Sequence, residues 1–556
     1  MKPSAFQRAA VRQPSQARGA LPARPEPAVR RVGRRSVVGF AMLLSFCGCT
    51  TFTEYFHNGL KVGPNYHKPH TPVAPDWIDA TDARLRRGPD DLSDWWKVFH
   101  DPVLDNLICT AYQQNLTLRQ AGFRVLEARA QLGIAVGNLF PQLQNMTGSY
   151  QREAVSQETA GRTLSSTARR FFSQWNYGFN LAWELDFWGR FRRAIESDSD
   201  VLDASVEGYD DVVVTLLSDV ATAYVQMRTL EKRIAYARKN AAIQRVTFDI
   251  AKDKKGVFAT GLDVDQAFST LRQTEAAIPE LEIALRQTTN QLCILIGIPP
   301  EELRTRLGRG DIPIVPPEVV VGIPADLLRR RPDVRQAERL AAAQSAQIGV
   351  AESAFYPHVA IVGTIDYQAE RFKNLFKSRA FSGNIAPGFT WDILNYGRIF
   401  NNVRFQDARF QELVAAYQQT VLNANQETEN GLATFLKAQE RTRLQKEGAD
   451  AGEAAVKAIQ DLWKGGLLTD YTRVAQLELN QVVLEDTLAQ AEGEIALGLI
   501  QVYKALGGGW QIRCTGCAET PMMPQWALPT PEPGDLLPAP NPGELLPAPK
   551  PEPPQP

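Results

Sequence analysis

The chain is written twice. Arg119-Gln120-Ala121 recurs as Arg335-Gln336-Ala337, and at the same offset Ala130-Gln131-Leu132-Gly133 recurs as Ala346-Gln347-Ile348-Gly349. Ala135 meets Ala351, and Phe140-Pro141 meets Tyr356-Pro357. Trp183…Gly189-Arg190 and Trp391…Gly397-Arg398 share identical internal spacing, and Gly256…Val264-Asp265-Gln266 parallels Gly466…Val474-Ala475-Gln476. Three matches in series are not coincidence. One order of elements is used twice, roughly 210 residues apart. In each half that order is helix, strand pair, very long helix, turn, helix.

The long helices are read from proline-free runs, Arg190 to Lys254 and Arg398 to Lys464. At 1.5 Å per residue each makes a rod of roughly 100 Å, longer than a compact domain needs. In the first run Val213, Leu216, Val220, Ala223, Met227, Leu230, Ile234, Ala237 and Ala241 step by three and four, the spacing of coiled-coil packing. Many of these positions are alanine, which lets neighbouring helices approach closely.

The strands are read from alternation. Phe179, Leu181, Trp183, Leu185 and Phe187 are large and apolar, while Asn180, Ala182, Glu184 and Asp186 between them are polar or small. Side chains alternate across a strand, so one face is greasy and the other is not. Phe389, Trp391 and Ile393 repeat this in the second half. Val359, Ile361, Ile365 and Tyr367 do so with an interruption at Val362, and residues 145–153 give a weaker partner strand. Period alone also fits a sheet half-buried on a soluble core. If instead the strands enter a bilayer, four cannot close a barrel. An open edge in lipid leaves unpaired N–H and C=O groups, and single-chain barrels start at about eight strands. Several chains then share one barrel, with the long helices extending it into water. The expected fold is mainly α with a membrane β-barrel: a tandem-repeat helical tunnel plus a barrel completed by oligomerisation, four strands per chain.

Composition narrows the classes. The 61 basic and 62 acidic side chains of the 556 residues balance to −1, which argues against a nucleic-acid partner. A mean hydropathy of −0.26 excludes a polytopic helical membrane protein but not a barrel, whose alternating strands average out. Only 5 His and 6 Cys leave little material for a metal enzyme. No phosphate-binding glycine loop follows a strand. Neither catalytic residues, nor a metal site, nor a cofactor is expected.

Arg30, Arg31, Arg34 and Arg35 precede a short apolar run, Val37 to Phe46, that reads as an export signal. It ends in Leu44-Ser45-Phe46-Cys47-Gly48-Cys49-Thr50. Lipoprotein processing needs a small residue before the modified cysteine; Gly48 supplies it for Cys49, whereas Cys47 follows bulky Phe46. Cys49 is therefore the expected lipidation site, with Cys47 as its alternative; an ordinary secretory signal with incidental cysteines is the plainer reading.

Further motifs follow. Val62-Gly63-Pro64-Asn65-Tyr66 and Pro69 come after the lipobox, Trp95-Trp96…Phe99…Asp101-Pro102…Leu104 opens the first helix, and Leu327-Leu328-Arg329-Arg330-Arg331-Pro332-Asp333-Val334…Ala337-Glu338 opens the second half. From about residue 44 to about 510 the chain resembles the outer-membrane factors, the TolC-like outer membrane efflux proteins. It resembles most their lipid-anchored branch serving resistance–nodulation–division (RND) transporters. The resemblance implies a homotrimer with a twelve-stranded barrel in outer-membrane lipid and a twelve-helix periplasmic tunnel. It also implies a periplasmic adaptor joining the duct to an inner-membrane RND transporter, and no catalysis. On this reading residues 1–48 are leader, 49–92 a lipid-anchored extended segment, 93–310 and 311–512 the two efflux repeats, and 513–556 a tail. The duct would carry small molecules; type I protein secretion and a soluble periplasmic coiled-coil scaffold are the rival readings.

The turns near 256–264 and 465–474 then lie at the periplasmic tip, where the family has its aperture and adaptor contact. Gly256, Gly465 and Gly466 suit tight turns. Asp263, Asp265 and Asp470 are candidate pore-facing carboxylates, or else helix caps and first-turn residues. Tyr471 and Arg473 are candidates for tying neighbouring helices together. Gly189-Arg190 and Gly397-Arg398 mark the strand-to-helix junction. Trp183, Trp188 and Trp391 suit either an interfacial belt or packing where barrel meets tunnel. Cys514-Thr515-Gly516-Cys517 is a single CxxC without further zinc ligands, so a local disulfide is the chemistry left to it. Cys109 and Cys293 sit in helical pattern and read as small core residues. The tail from Pro521 is proline-dense and reads as disordered or polyproline II.

Overall fold

The computed structural model describes residues 52–88, 91–154, 170–257, 259–467 and 471–517. Cys47, Cys49, Asp470 and the segment from Pro521 lie outside the described residues. Each half runs as its sequence orders it. The first has α1 (Pro102–Gln114), α2 (Leu116–Gly137), β1 (Leu143–Ala154), β2 (Phe171–Leu185), α3 (Arg190–Asp253) and α4 (Gly261–Leu295). The second has α5 (Pro332–Ser353), β3 (His358–Ala369), β4 (Phe381–Thr390), α6 (Arg398–Lys464) and α7 (Tyr471–Ala505).

The long helices have 64 and 67 residues. Each is entered through a glycine with positive φ, Gly189 at 78° and Gly397 at 83°. This conformation turns the chain sharply out of the strand and disfavours any side chain. Glycine offers no capping group, so Asp186 does that work for α3: its carboxylate accepts from the Phe191 and Arg192 N–H groups at 3.0 and 3.1 Å. Along α3 the heptad positions Val213, Leu216, Val220, Ala223 and Met227 are buried, as coiled-coil knobs should be.

The four longer strands form one antiparallel sheet in the order β1-β2-β3-β4, so the halves join through β2 and β3. The register puts the greasy positions on one face. Phe179 lies opposite both Met146 and Ile365, and Leu181 lies in the same row as Gly363 and Ile385. On the other face Asn180 bonds Asn145 at 3.0 Å, and Gln174 bonds Gln368 at 2.9 Å. Val362 breaks the alternation because it lies between Ala182 and Ala386 on that second face. The strand expected through Trp391 and Ile393 stops earlier, at Thr390, and β2 stops at Leu185 before Asp186 and Phe187. The reason is that Asp186, Trp391 and Asp392 are used in the turn toward the helices, as described below.

The main core lies where the helices of both halves meet. It includes Trp95, Leu104, Val220, Tyr224, Phe435 and Leu499. Here the inter-repeat link returns to the N-terminal segment as a short parallel pair, Leu85–Arg87 with Val319–Val321. The Asp-Pro motif caps α1: Asp101 Oδ1 accepts from the Val103 N–H at 2.9 Å, Pro102 fills the first helical turn, and Tyr224 donates to Asp101 Oδ2 at 2.7 Å. The Arg-rich motif is a clamp. Buried Arg331 donates to the Ala505 carbonyl at the end of α7 and to Asp333 and Glu427, at 2.8–2.9 Å. Such a pairing of a cation with a helix C-terminus follows the helix dipole.

The cysteines correct the expectation for the CxxC. Cys517 pairs with Cys109 on α1, not with Cys514, and their Cα atoms are 5.7 Å apart. Cys514 is free and exposed, and Cys293 is a buried free thiol. A three-residue spacing permits a local bridge, but the helical turn Ile512–Thr515 carries Cys514 to the surface while Cys517 packs against the core.

Candidate functional site

Two places carry the residues singled out by sequence. At the junction of sheet and helices, the two halves repeat one construction. Trp183 Nε1 donates to the Leu139 carbonyl at 3.2 Å, and Trp391 Nε1 donates to the Phe355 carbonyl at 2.9 Å. Leu139 and Phe355 hold equivalent positions in the two helix-to-strand connectors. Arg190 pairs with Glu184 at 3.1 Å, and Arg398 pairs with Asp392 at 3.0 Å. These pairs are largely exposed, so each contributes little energy; what they supply is orientation. Trp188 stacks on Tyr356 at 4.5 Å and donates to the Pro357 carbonyl at 2.9 Å. All three indole N–H groups therefore hold connectors.

Sequence reading missed the residue that explains Val62-Gly63-Pro64-Asn65. Arg193, fully buried, donates to the carbonyls of Val62 and Gly63 and to Asn65 Oδ1 at 2.8–3.0 Å. Gly63 lies so close to the backbone of Gly349 that a Cβ there would collide. Upstream, Tyr55 donates to the Phe187 carbonyl at 2.7 Å, and Arg192 donates to the carbonyls of Gly59 and Leu60. The extended N-terminal segment is thus fixed to the base of the sheet. The signal was an arginine one turn into a helix entered through Gly-Arg.

The second place is the far end of the long helices. Lys254 donates to the Lys464 carbonyl at 2.6 Å, so both helix-to-helix turns lie side by side. Gly256 and Gly466 take positive φ, 83° and 71°, whereas Gly465 is ordinary right-handed helix. Thr260 and Asp263 form a capping box, in which the Asp263 carboxylate accepts from the Thr260 N–H and hydroxyl at 2.6 and 2.7 Å. Asp263 is buried in that role, which takes it out of any lumen; Asp265 is exposed. Tyr471 is fully buried against Trp463 with ring centroids 5.6 Å apart, so it ties α6 to α7 within one chain. Burial pushes its phenol up, and Glu478 adds to this. Arg473 is exposed.

Above the tip runs a buried polar ladder between α3 and α7. Asn240 donates to Glu485 at 2.7 Å, and Thr247 donates to Glu478 at 2.7 Å, with Gln460 joining Glu478 at 2.8 Å. The antiparallel register sets Gln244 opposite Gln481, both buried, with side-chain amides that have no partner among the described residues. Burial raises the Glu478 carboxyl above its ordinary range. Sequence reading did not flag this ladder, because single polar residues within a heptad pattern look like surface positions.

Among the described residues no group of His, Cys, Asp and Glu could hold a metal ion.

Comparison with known proteins agrees with the doubled architecture. The sequence model of the family Outer membrane efflux protein matches residues 107–298 and again 323–508. Nodulation protein T of Rhizobium leguminosarum bv. trifolii is 28% identical over 474 residues, which cover 83% of this chain and 97% of that protein. Outer membrane protein OprJ of Pseudomonas aeruginosa is 27% identical over 456 residues, covering 81% and 93%. The solved outer-membrane channel OprN superposes with a TM-score of 0.75 at 31% identity, covering 81% of this chain and 99% of that one. Twice-matched helices, a four-stranded sheet left through glycine corners, and similarity across nearly the whole length of such channels together place this chain in the outer membrane efflux protein family, as an outer-membrane channel of TolC-like fold.

Proposed function

We propose that three copies of this chain close a twelve-stranded barrel and continue it as a periplasmic tunnel, forming the passive exit duct of a tripartite RND-type pump. One observation carries this reading. The sheet is exposed on both faces, with every residue of β1 and β4 exposed and both outer edges unpaired among the described residues. Such a sheet leaves a broad apolar face uncovered in water, and its unpaired edges are forbidden in lipid. Identical copies, β4 of one against β1 of the next, close it without a new type of strand.

The apolar face then meets lipid and the Asn/Gln/Thr face lines the lumen. Val257, Leu262 and Leu467 are 79%, 74% and 80% exposed at the tips, apolar surface suited to a periplasmic adaptor. The short helix Phe52–His57 lies at the base of the sheet through Tyr55, a few residues after Cys49, which supports lipidation of Cys49 at the inner surface of the outer membrane. Relatives named as efflux-pump components favour small-molecule cargo over protein secretion. Asp265 and Asp470 are the acids we assign to the aperture.

Purified protein should migrate as a heat-modifiable trimer and give discrete conductance steps in planar bilayers. Charge reversal at Asp470 should alter the step size. A monomer that stays in the aqueous fraction after lysis would overturn the duct, and an unchanged step would remove Asp470 from the aperture.

A further inference from the structure

The two ends of the sheet differ in how they treat cations. At the helix end every arginine has an acid: Arg190 with Glu184, Arg192 with Asp186, Arg398 with Asp392. The opposite end is unlike this. The connection between β3 and β4 reads Glu370-Arg371-Phe372-Lys373-Asn374-Leu375-Phe376-Lys377-Ser378-Arg379-Ala380, four cations and one acid. Arg371, Lys373, Lys377 and Arg379 are exposed and make no ion pair among the described residues.

The connection is also folded in a particular direction. Phe372 packs on Trp175 with ring centroids 5.0 Å apart, and Phe376 packs on Tyr177 at 5.4 Å. Trp175 and Tyr177 share the apolar face of β2 with Phe179 and Leu181, since they are two residues apart along one strand. Phe372 and Phe376, 54% and 65% exposed, therefore lie on the outside of the sheet, not over its lumen. Leu375 and Ala380 are buried and hold the connection down. Beside it, Arg152 stands on the same face of β1, next to Tyr150, whose ring lies 4.5 Å from Trp175. Glu153 points to the opposite face. At this end of β1 the base thus stands on the outer face and the acid on the other.

We propose that this folded connection is a docking collar for the phosphate headgroups of anionic lipid in the outer leaflet. The proposal rests on the barrel reading above, which puts this end of the sheet at the outer surface. Aromatic rings settle at the headgroup boundary, and cations just beyond them meet phosphate. Charge complementarity selects the occupant: unpaired cations above exposed aromatic rings fit an anionic amphiphile and fit neither a neutral lipid nor a cationic peptide. The collar holds each barrel in its annulus of lipid and fixes how far it rises out of the membrane.

The test uses full-length protein reconstituted in nanodiscs of equal phosphatidylglycerol and phosphatidylcholine, then extracted in mild detergent. Retained lipids are counted by mass spectrometry. The wild type should retain phosphatidylglycerol in excess, and 0.5 M salt during extraction should reduce the excess by screening. R371Q/K373Q/K377Q/R379Q should lose the preference, a fall on the order of tenfold or more, while still migrating as a heat-modifiable oligomer. F372A/F376A should retain less of both lipids. Equal retention of the two lipids by the wild type, a salt-independent excess, or an excess undiminished in the charge-removed protein would overturn the collar. Failure of the protein to enter nanodiscs at all would instead overturn the barrel.

Discussion

Cys109 and Cys517, 408 residues apart in sequence, are joined across the outer surface of the main core. The bond staples Cys517, beyond the last long helix of the second half, to the first helix of the first half, so the two halves are closed into a ring beside the main core. Removing it should be costly, because the closed loop is long. Cys517→Ser should lose about 2–5 kcal/mol and lower the thermal midpoint, whereas Cys514→Ser should leave it unchanged. Differential scanning calorimetry with and without reductant checks this; equal midpoints for the two variants would contradict it.

The two glycine corners are equivalent in sequence but not in surroundings. A Cβ on Gly189 would lie 2.7 Å from the Lys61 side chain, while one on Gly397 meets only Asn401 at 3.6 Å. Both alanine variants pay for positive φ, about 1 kcal/mol. Gly189→Ala must in addition displace the N-terminal segment, so it should reduce the yield of folded protein clearly more than Gly397→Ala. Equal yields would show that Lys61 is free to move.

Gln244 and Gln481 face each other in a seam whose flanking pairs, Asn240 with Glu485 and Thr247 with Glu478, are hydrogen-bonded. Replacing both by leucine removes buried amides that lack partners, and such exchanges are commonly neutral or stabilising. Gln244→Leu with Gln481→Leu should therefore raise stability by about 1–2 kcal/mol. Glu478→Leu alone should lower it, because Thr247 and Gln460 would lose their acceptor. Chemical denaturation of the three proteins side by side separates these outcomes, and a marked loss in the double variant would show that the amides are needed.

Glu207 gives a pH dependence with a definite sign. Burial pushes its carboxyl up to about 7 from an ordinary 4.5, with Arg335 at 2.7 Å pulling down and Asp210 pushing up. A folded value above the unfolded one means that its contribution is fully present below about pH 4.5 and is lost as pH rises through about 7. Glu207→Gln should flatten this part of the stability profile and be the more stable protein at pH 8, by on the order of 1–3 kcal/mol. Thermal midpoints measured from pH 4 to pH 8 test it, and parallel profiles would dismiss Glu207 as the source.

The capping box at the tip is a smaller device. Thr260→Ala should cost about 1 kcal/mol and fray the start of α4. Hydrogen exchange at residues 261–264 should quicken while the far end of the same helix stays protected.

The periodicities were legible because they are local. A proline-free run with steps of three and four can satisfy its backbone only as a helix, and this placed α3 and α6 to within a residue of their ends. Alternation across Phe179–Leu185 fixed which residues share a face, and the repeated Trp…Gly-Arg spacing located both corners. What sequence overran was the end of each strand: Trp391 and Asp186 continue the alternation, yet their polar atoms are claimed by a connector and a helix N-terminus.

By itself, then, the sequence determined the elements, their doubling and the sidedness of the sheet, since each depends on neighbours within a few residues. Only the tertiary structure decided that Cys109 meets Cys517, that Arg193 grips Val62 and Gly63, and that Gln244 lies across from Gln481. These depend on which helices come to lie side by side, and no short-range pattern encodes a contact between segments separated by hundreds of residues.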